Sequence, residues 1–264
     1  MDLGLEGRVA IVTGGSAGIG YAVARALALE GVQVVIAARR IDVLRSAAAE
    51  LERDTQSKFL AVSADTTDQS QVDKLVDDVT AAHSRVDILV NCAANPSGLA
   101  RNDVQYLDDE ALLRDLNTKV VGYARCAKAV APVMMRQRWG RIINIGGLTG
   151  RASNVISGLR NAAVCHLTKT LSDQLGPSGI TVNAIHPGVI QTEHIVELFD
   201  REARQRGVTP AEIENEYAKA TPIRRVIRAD EVGHAAAFLA SELAAAITGE
   251  SLAVDGGITR GIYL

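Results

Sequence analysis

The sequence predicts one α/β domain over residues 1–264, built on a doubly wound parallel sheet of about seven strands flanked by helices. Three observations predict it. Short runs of Val and Ile alternate with helix-length amphipathic stretches from end to end, the pattern of a parallel sheet joined by right-handed crossovers. Hydrophobic residues make up 47% of the chain but aromatics only 3%, so the core is built from Ala, Val, Leu and Ile, as in strands buried on both faces. The first strand also runs straight into a glycine-rich turn and a helix.

The elements follow in order. Residues 9–12 are an apolar run ending at Thr13-Gly14-Gly15; Ile19, Ala22, Val23, Ala26 and Leu27 then recur at helical spacing until Gly31 closes the helix. Residues 32–38 form a second strand, followed by a helix carrying Leu44, Ala47, Ala48 and Leu51. Residues 59–64 are the third strand, and Asp68 caps a helix with Val72, Leu75, Val76 and Val79 on one face. A fourth strand at 86–90 precedes one long helix over 112–135. A fifth strand at 142–145, a helix over about 157–175 and a sixth strand at 180–185 come next. The polar segment 189–228 interrupts the rhythm before a helix bearing Val232, Ala235, Ala236, Phe238 and Leu239 and a last strand at Ser251–Val254. No linker, repeat or low-complexity tract divides the chain.

Composition excludes several classes. The net charge is −3 without a basic block, which argues against nucleic acid as a partner. Cys92, Cys126 and Cys165 are scattered without metal-type spacing, so they read as reduced thiols of a cytoplasmic protein and predict no metal site. The first strand begins by about Arg8, leaving no room for a signal peptide, and no apolar run reaches membrane-spanning length.

The turn Thr13-Gly14-Gly15-Ser16-Ala17-Gly18-Ile19-Gly20 sits between a strand and a helix. Small residues there let the backbone approach a pyrophosphate, while free N–H groups and the helix dipole attract its charge. The second strand ends Ala38-Arg39-Arg40 with no acid before Asp42. A carboxylate at that point would accept hydrogen bonds from the ribose 2′-OH of NAD(H); two guanidiniums suit the 2′-phosphate of NADP(H) instead. NADP(H) is therefore favoured, with NAD(H) possible.

Further motifs extend the pattern. Asp65 and Thr66 follow the third strand, Asn91-Cys92-Ala93-Ala94 follows the fourth, and Asn117 lies on the long helix. Pro187-Gly188 follows the sixth strand with Thr192 beyond it, and the chain closes with Thr248-Gly249-Glu250 and Val254-Asp255-Gly256-Gly257. In this combination the whole chain resembles the short-chain dehydrogenase/reductase family, which implies a Rossmann-type fold and NAD(P)-dependent hydride transfer. The resemblance assigns cofactor contacts to Thr13, Gly14, Gly15, Ser16, Gly18, Ile19, Gly20, Arg39, Arg40, Asp65, Thr66, Asn91 and Ala93. Pro187, Gly188 and Thr192 would hold the carboxamide end of the nicotinamide, and Asn117 matches the Asn of the catalytic tetrad. It also implies a substrate lid at about 189–228 and a homodimer or homotetramer. Ala124, Ala127 and Ala131 on the long helix, with Ala162, Ala163 and Val164 on the next, offer small residues for such contacts.

The rest of the tetrad departs from the family pattern. Gly147 stands where the family has a catalytic Ser. Anchoring the following helix on Leu167-Thr168-Lys169-Thr170-Leu171 puts Ser157 at the Tyr position and Asn161 at the Lys position. Counting forward from Gly147 without a deletion puts Arg160 and Val164 there instead; neither register gives Tyr or Lys. In the family the Lys lowers the Tyr pKa from its usual ~10 so that Tyr can hand a proton to the substrate oxygen. Lys169 and His166 read as structural, Thr149 and Ser153 as hydrogen-bonding groups too weakly acidic to replace it, and Tyr123 as turned off the Asn117 face. His194 and Tyr217, in the lid, remain candidate acids or bases.

A general acid contributes typically ~10²–10⁴ in rate, whereas holding donor and acceptor together contributes about 7–11 kcal/mol. The sequence therefore points first to an NADP(H)-dependent oxidoreductase with a degenerate tetrad, acting on a small alcohol, ketone or related C=N or C=C compound. The alternatives are a catalytically silent dinucleotide-binding subunit or sensor, and a lyase or isomerase reusing the pocket through His194 or Tyr217.

Overall fold

The computed structural model of the chain describes residues 2–95, 104–150, 155–156 and 158–261. Seven parallel strands form one sheet: β1 (Val9–Thr13), β2 (Gln33–Ala38), β3 (Phe59–Ser63), β4 (Ile88–Asn91), β5 (Gly140–Ile145), β6 (Ile180–Pro187) and, numbered after two short strands outside the sheet, β9 (Ser251–Val254). Their order is β3-β2-β1-β4-β5-β6-β9. Helices connect the strands: α1 (Gly18–Leu29), α2 (Ile41–Thr55), α3 (Gln69–His83), α4 (Asp109–Leu116) continuing into α5 (Gly122–Gln137), α6 (Gly158–Leu175) and, ahead of β9, α9 (Ala229–Ala240).

Alternation along the strands builds two cores. Ala10, Val12, Val34, Ile36, Val90 and Ile143 face one side, where Val23 and Leu27 of α1, Leu44 and Leu51 of α2, and Val232 and Leu239 of α9 cover them. Val9, Ile11, Val35, Leu89, Ile142 and Val182 face the other, under Val72 and Leu75 of α3 and Val130 and Met134 of α5. Ala127 and Ala131, small residues suited to a subunit contact, pack against this second core, and Val164 is buried beside Tyr123 and Ala184.

Register carries every strand to the same edge. Thr13 pairs with both Ala37 and Asn91, Asn91 with Asn144, and Ile145 with Ile185. The turns after β1, β2, β4, β5 and β6 therefore gather at one end of the sheet. The chain runs outward from β1 to β3 and then returns to place β4 beside β1, the reversal that opens a crevice at the strand ends.

Two expectations are revised. The helix expected over 112–135 is one rod containing a π turn, Asn117–Val121, between α4 and α5. A π turn takes more residues per revolution, so faces counted at 3.6 residues per turn go wrong from Asn117 onward. The segment 189–228 is ordered as β7 (Ile190–Gln191), α7 (Glu193–Arg206), α8 (Pro210–Ala220) and β8 (Ile227–Arg228), with β7 and β8 paired. Its helices share a small core of Phe199, Ala203, Ile213 and Val226. Among the described residues, no helix is long and apolar enough to cross a membrane, and no group of three or more His, Cys, Asp or Glu could hold a metal ion.

Candidate active site

The glycine-rich turn is shaped by contacts that leave no room for side chains. Gly14 has φ +68, and a Cβ there would lie 3.0 Å from the backbone of Cys92 and Ala93. At Gly20 a Cβ would sit 2.2 Å from the Gly14 carbonyl oxygen. Thr13 is buried, and its hydroxyl oxygen accepts from the N–H groups of Cys92 (3.1 Å) and Ala93 (3.3 Å), tying the turn after β4 to the end of β1. The N-cap of α1 is Ala17, whose side chain cannot cap, and the first turn holds no acid. The amino end of α1 thus faces the crevice with its dipole uncompensated.

A cleft of ≈ 620 Å³ opens there, lined by Gly14, Ser16, Gly18, Ile19, Gly20, Arg39, Arg40, Asp65, Thr66, Cys92, Ala93, Thr192 and His194. Arg39 and Arg40 are exposed at its mouth, and neither makes an ion pair among the described residues. Asp65 is held by Thr67, whose N–H and hydroxyl donate to its Oδ1 at 2.9 and 2.8 Å. Thr192 caps the opposite wall, its methyl 3.4 Å from where a Gly18 Cβ would be. Gly188 lies against Asp255, a Cβ there being 2.8 Å from its Cα, while Pro187 is buried as the last residue of β6. Another cleft, ≈ 560 Å³, lies at the opposite ends of β2 and β3 around Val34 and Phe59, far from these turns.

Beside this cleft, the ends of β4, β5 and β6 are cross-linked. Asn91 does not open toward the cleft; it is buried and donates to Asn144 Oδ1 (2.9 Å), and Asn144 donates to Thr168 of α6 (3.0 Å). Gly147 faces Asn161: a Cβ at Gly147 would lie 2.8 Å from the Asn161 amide nitrogen. That nitrogen donates to Thr149 Oγ1 at 2.7 Å, while Asn161 Oδ1 is buried without a partner among the described residues. Arg160 pairs with the buried carboxylate of Asp115, and Val164 is core. Ser157 and Ser153 lie outside the described residues. His166 and Lys169 are exposed on α6, Lys169 pairing with Asp173.

His186 of β6 stacks behind Gly146, where a Cβ would meet its ring at 2.5 Å. Its Nδ1 is 2.9 Å from the Gly147 oxygen and its Nε2 3.3 Å from Cys165 Sγ. Gly147 N–H also points at Nδ1 (3.2 Å), so the tautomer decides which of the two Nδ1 contacts is a hydrogen bond.

The π turn delivers the site's buried cation. Asn117 opens the turn half-buried. Two residues on, Lys119 is only 5% exposed and donates from Nζ to the Gly146 carbonyl oxygen at 2.7 Å. Burial pushes its amine down to about 7; Arg160 repels it further, and Cys92 and Asp115 act the other way. Burial also pushes the Cys92 thiol up to about 12. Tyr123 does turn toward this region but is fully enclosed: its hydroxyl donates to the Ile145 oxygen (3.0 Å), and burial raises its pKa well above 10. Tyr217 lies away from the strand ends, stacked on Phe199 at 5.1 Å and donating to Glu202 Oε1 at 3.1 Å.

Lys119, His186, Cys165 and the Arg160–Asp115 pair escape a reading of the sequence. Their one local signal is a lysine in the otherwise apolar run Lys119-Val120-Val121, and 3.6-residue counting gives it no reason to face inward.

The family described as Enoyl-(Acyl carrier protein) reductase matches residues 14–259 of the chain. The chain is 31% identical over 259 residues to the NADPH-dependent reductase BacG of Bacillus subtilis (strain 168), spanning 97% of this chain and 99% of that protein. It is 34% identical over 262 residues to the 3-oxoacyl-(acyl-carrier-protein) reductase FabG of Escherichia coli (strain K12), again spanning 97% and 99%. Among solved structures, L-sorbose reductase from Gluconobacter frateurii complexed with NADPH and L-sorbose aligns with a TM-score of 0.93 at 30% identity, covering 99% of this chain and 100% of that one.

Proposed function

Because the chain belongs to the short-chain dehydrogenase/reductase family, we propose that it is an NADP(H)-dependent oxidoreductase acting on a small alcohol, ketone or related C=N or C=C compound. One observation carries the cofactor part: a helix N-terminus without a side-chain cap, behind a glycine-rich turn, opens into a cleft whose mouth holds two arginines without ion pairs among the described residues. The relatives named NADPH-dependent, or solved with NADPH, support the same choice.

In this reading the N–H groups of Ser16, Gly18 and Ile19 and the α1 dipole hold the pyrophosphate. Arg39 and Arg40 take the 2′-phosphate by charge-assisted hydrogen bonds, and Asp65 and Thr66 border the adenine. Ala93, Pro187, Gly188 and Thr192 hold the nicotinamide end. When bound, the dinucleotide supplies or accepts the hydride. Segment 189–228 acts as the substrate lid, with His194 on its cleft side.

The tetrad is read as degenerate, with Gly147, Ser157 and Asn161 at the Ser, Tyr and Lys positions and Asn117 retained. The Asn161 amide filling the space before Gly147 supports a rebuilt pocket in preference to one missing group. We extend the reading to a cytoplasmic homodimer or homotetramer.

Two measurements test it. Equilibrium titration is expected to give tighter binding of NADPH than of NADH. A panel of alcohols, ketones, imines and enones is expected to yield turnover with at least one member. Tight NADPH binding with no turnover anywhere in the panel would favour a silent dinucleotide-binding subunit. Absence of dinucleotide binding would end both readings.

A further inference from the structure

We infer that Lys119 is the proton donor of this site, carried by the π turn to the ends of β4 and β5, where reduction leaves a substrate oxygen in need of a proton. The inference rests on the oxidoreductase reading above.

Position comes first. Nζ lies 2.7 Å from the oxygen of Gly146, the residue between the end of β5 and Gly147. Lys119 interacts electrostatically with Cys92, which lines the nucleotide cleft from the end of β4. The amine therefore lies beneath the junction of the cleft with the Gly147–Asn161–Thr149 surface.

The second argument is what Lys119 lacks. A lysine buried for stability is normally matched by a carboxylate, since an isolated buried ammonium is costly. Among the described residues Lys119 has no ion pair; the nearby acid, Asp115, pairs with Arg160 through Oδ1, and its buried Oδ2 has no hydrogen-bond partner there. Its charged and titratable surroundings are Arg160 from α6, Asp115 from α4, Cys92 from the turn after β4, and His186 of β6 behind Gly146. A buried amine whose titration is shifted by desolvation and by specific neighbouring charges, close to a strand-end cleft, is a functional-site candidate.

The third argument narrows the candidate donors to Lys119 and the cleft-lining His194. Tyr123 spends its hydroxyl on Ile145, Tyr217 donates to Glu202 in the outer core, and Thr149 accepts from Asn161. The Cys92 thiol, at about 12, holds its proton too firmly, and the amide of Asn161 does not titrate. An amine titrating near 7 has the driving force a donor needs at neutral pH.

The step balances. Hydride adds to the carbonyl carbon, the π pair moves to oxygen, and a Lys119 N–H bond breaks as the alcohol O–H bond forms. The neutral amine then recovers a proton from solvent. In the oxidative direction the neutral amine accepts the alcohol proton as hydride leaves carbon.

The test uses the full-length chain and two variants, Lys119→Met and Lys119→Arg. NMR of ¹³C-methylated lysines in the protein without cofactor is expected to show one amine titrating near 7, its signal absent from both variants. NADPH affinity is expected to stay within about threefold, since none of the proposed nucleotide contacts is touched. Single-turnover hydride transfer in the wild type is expected to fall as pH rises through that titration. In both variants it should be roughly 10²–10⁴ slower and flat over the same range. Should Lys119→Met fail to fold, Lys119→Arg carries the comparison, because it keeps the charge and cannot release a proton at these pH values.

A Lys119 amine titrating near 10, or variants that keep the wild-type rate and pH profile, would overturn the proposal while leaving the oxidoreductase reading intact. A wild-type protein that binds NADPH but reduces nothing would fail at the earlier step and take this proposal with it.

Discussion

A Cβ added at Gly147 would lie 2.8 Å from the Asn161 side-chain nitrogen, so these two residues occupy each other's space. Restoring a hydroxyl by Gly147→Ser must push Asn161 off Thr149, and overpacking of this kind costs about 1–3 kcal/mol. In an Asn161→Ala background the same substitution has room. Urea denaturation of the four proteins in the double-mutant cycle is expected to give a coupling energy of about 1 kcal/mol or more. Additive effects would show that the two positions do not share this space.

Arg39 and Arg40 set the second prediction. Both are exposed at the cleft without ion pairs among the described residues, so replacing them disturbs little of the fold. Hydrogen bonds to charged groups contribute about 1.5–3 kcal/mol. Arg39→Ala with Arg40→Ala is therefore expected to weaken NADPH binding by roughly 10- to 150-fold or more and to leave NADH nearly unchanged. Isothermal titration with both dinucleotides reads the result. Equal losses for the two would move the 2′-phosphate contact elsewhere.

Much of the architecture is legible in local pattern, because its causes are local. The continuous apolar runs of β1 and β2, the Asp68 cap accepting from Ser70 N–H, and the close approach of Gly20 to the Gly14 carbonyl each follow from residues near in sequence. The π turn is different. Nothing local distinguishes Asn117–Val121 from ordinary helix, so the inward rotation of Lys119 and Tyr123 stays hidden until the sheet packs against them. The Cys165–His186 and Arg160–Asp115 contacts join residues 21 and 45 positions apart and leave no periodic trace. Helix signals in 189–228 were present, since Thr209, Pro210 and Glu212 make a capping box, but the segment's polarity masked them.

Tyr217 supplies a third prediction. Its ring packs on Phe199 and its hydroxyl donates to Glu202, and burial raises its pKa above 10, with Glu202 adding to the rise. A phenol held in this way serves the packing of α7 on α8. Tyr217→Phe is expected to cost about 0.5–1.5 kcal/mol of stability, the worth of one hydrogen bond, while turnover stays within about twofold. A collapse of kcat with stability preserved would revive Tyr217 as an acid or base and with it the lyase or isomerase alternative.

Lys119 also makes stability depend on pH, with a sign set by the direction of its shift. The folded amine titrates near 7 against 10.5 ordinarily, so between those values the unfolded chain holds a proton that the folded protein has released. Stability therefore rises with pH across that window, by up to about 1.4 kcal/mol per pH unit from this group. Below pH 7 both states are protonated and the full cost of burying the charge is present. Lys119→Met removes the titration and fills similar volume, so its stability relative to wild type should be most favourable below pH 7 and decline steadily toward pH 9.5. Urea midpoints measured for both proteins from pH 6 to 9.5 test this, because titrating groups not coupled to Lys119 cancel in the difference. Parallel curves would mean that the Lys119 amine keeps its proton throughout, through an acceptor or solvent path that offsets its burial.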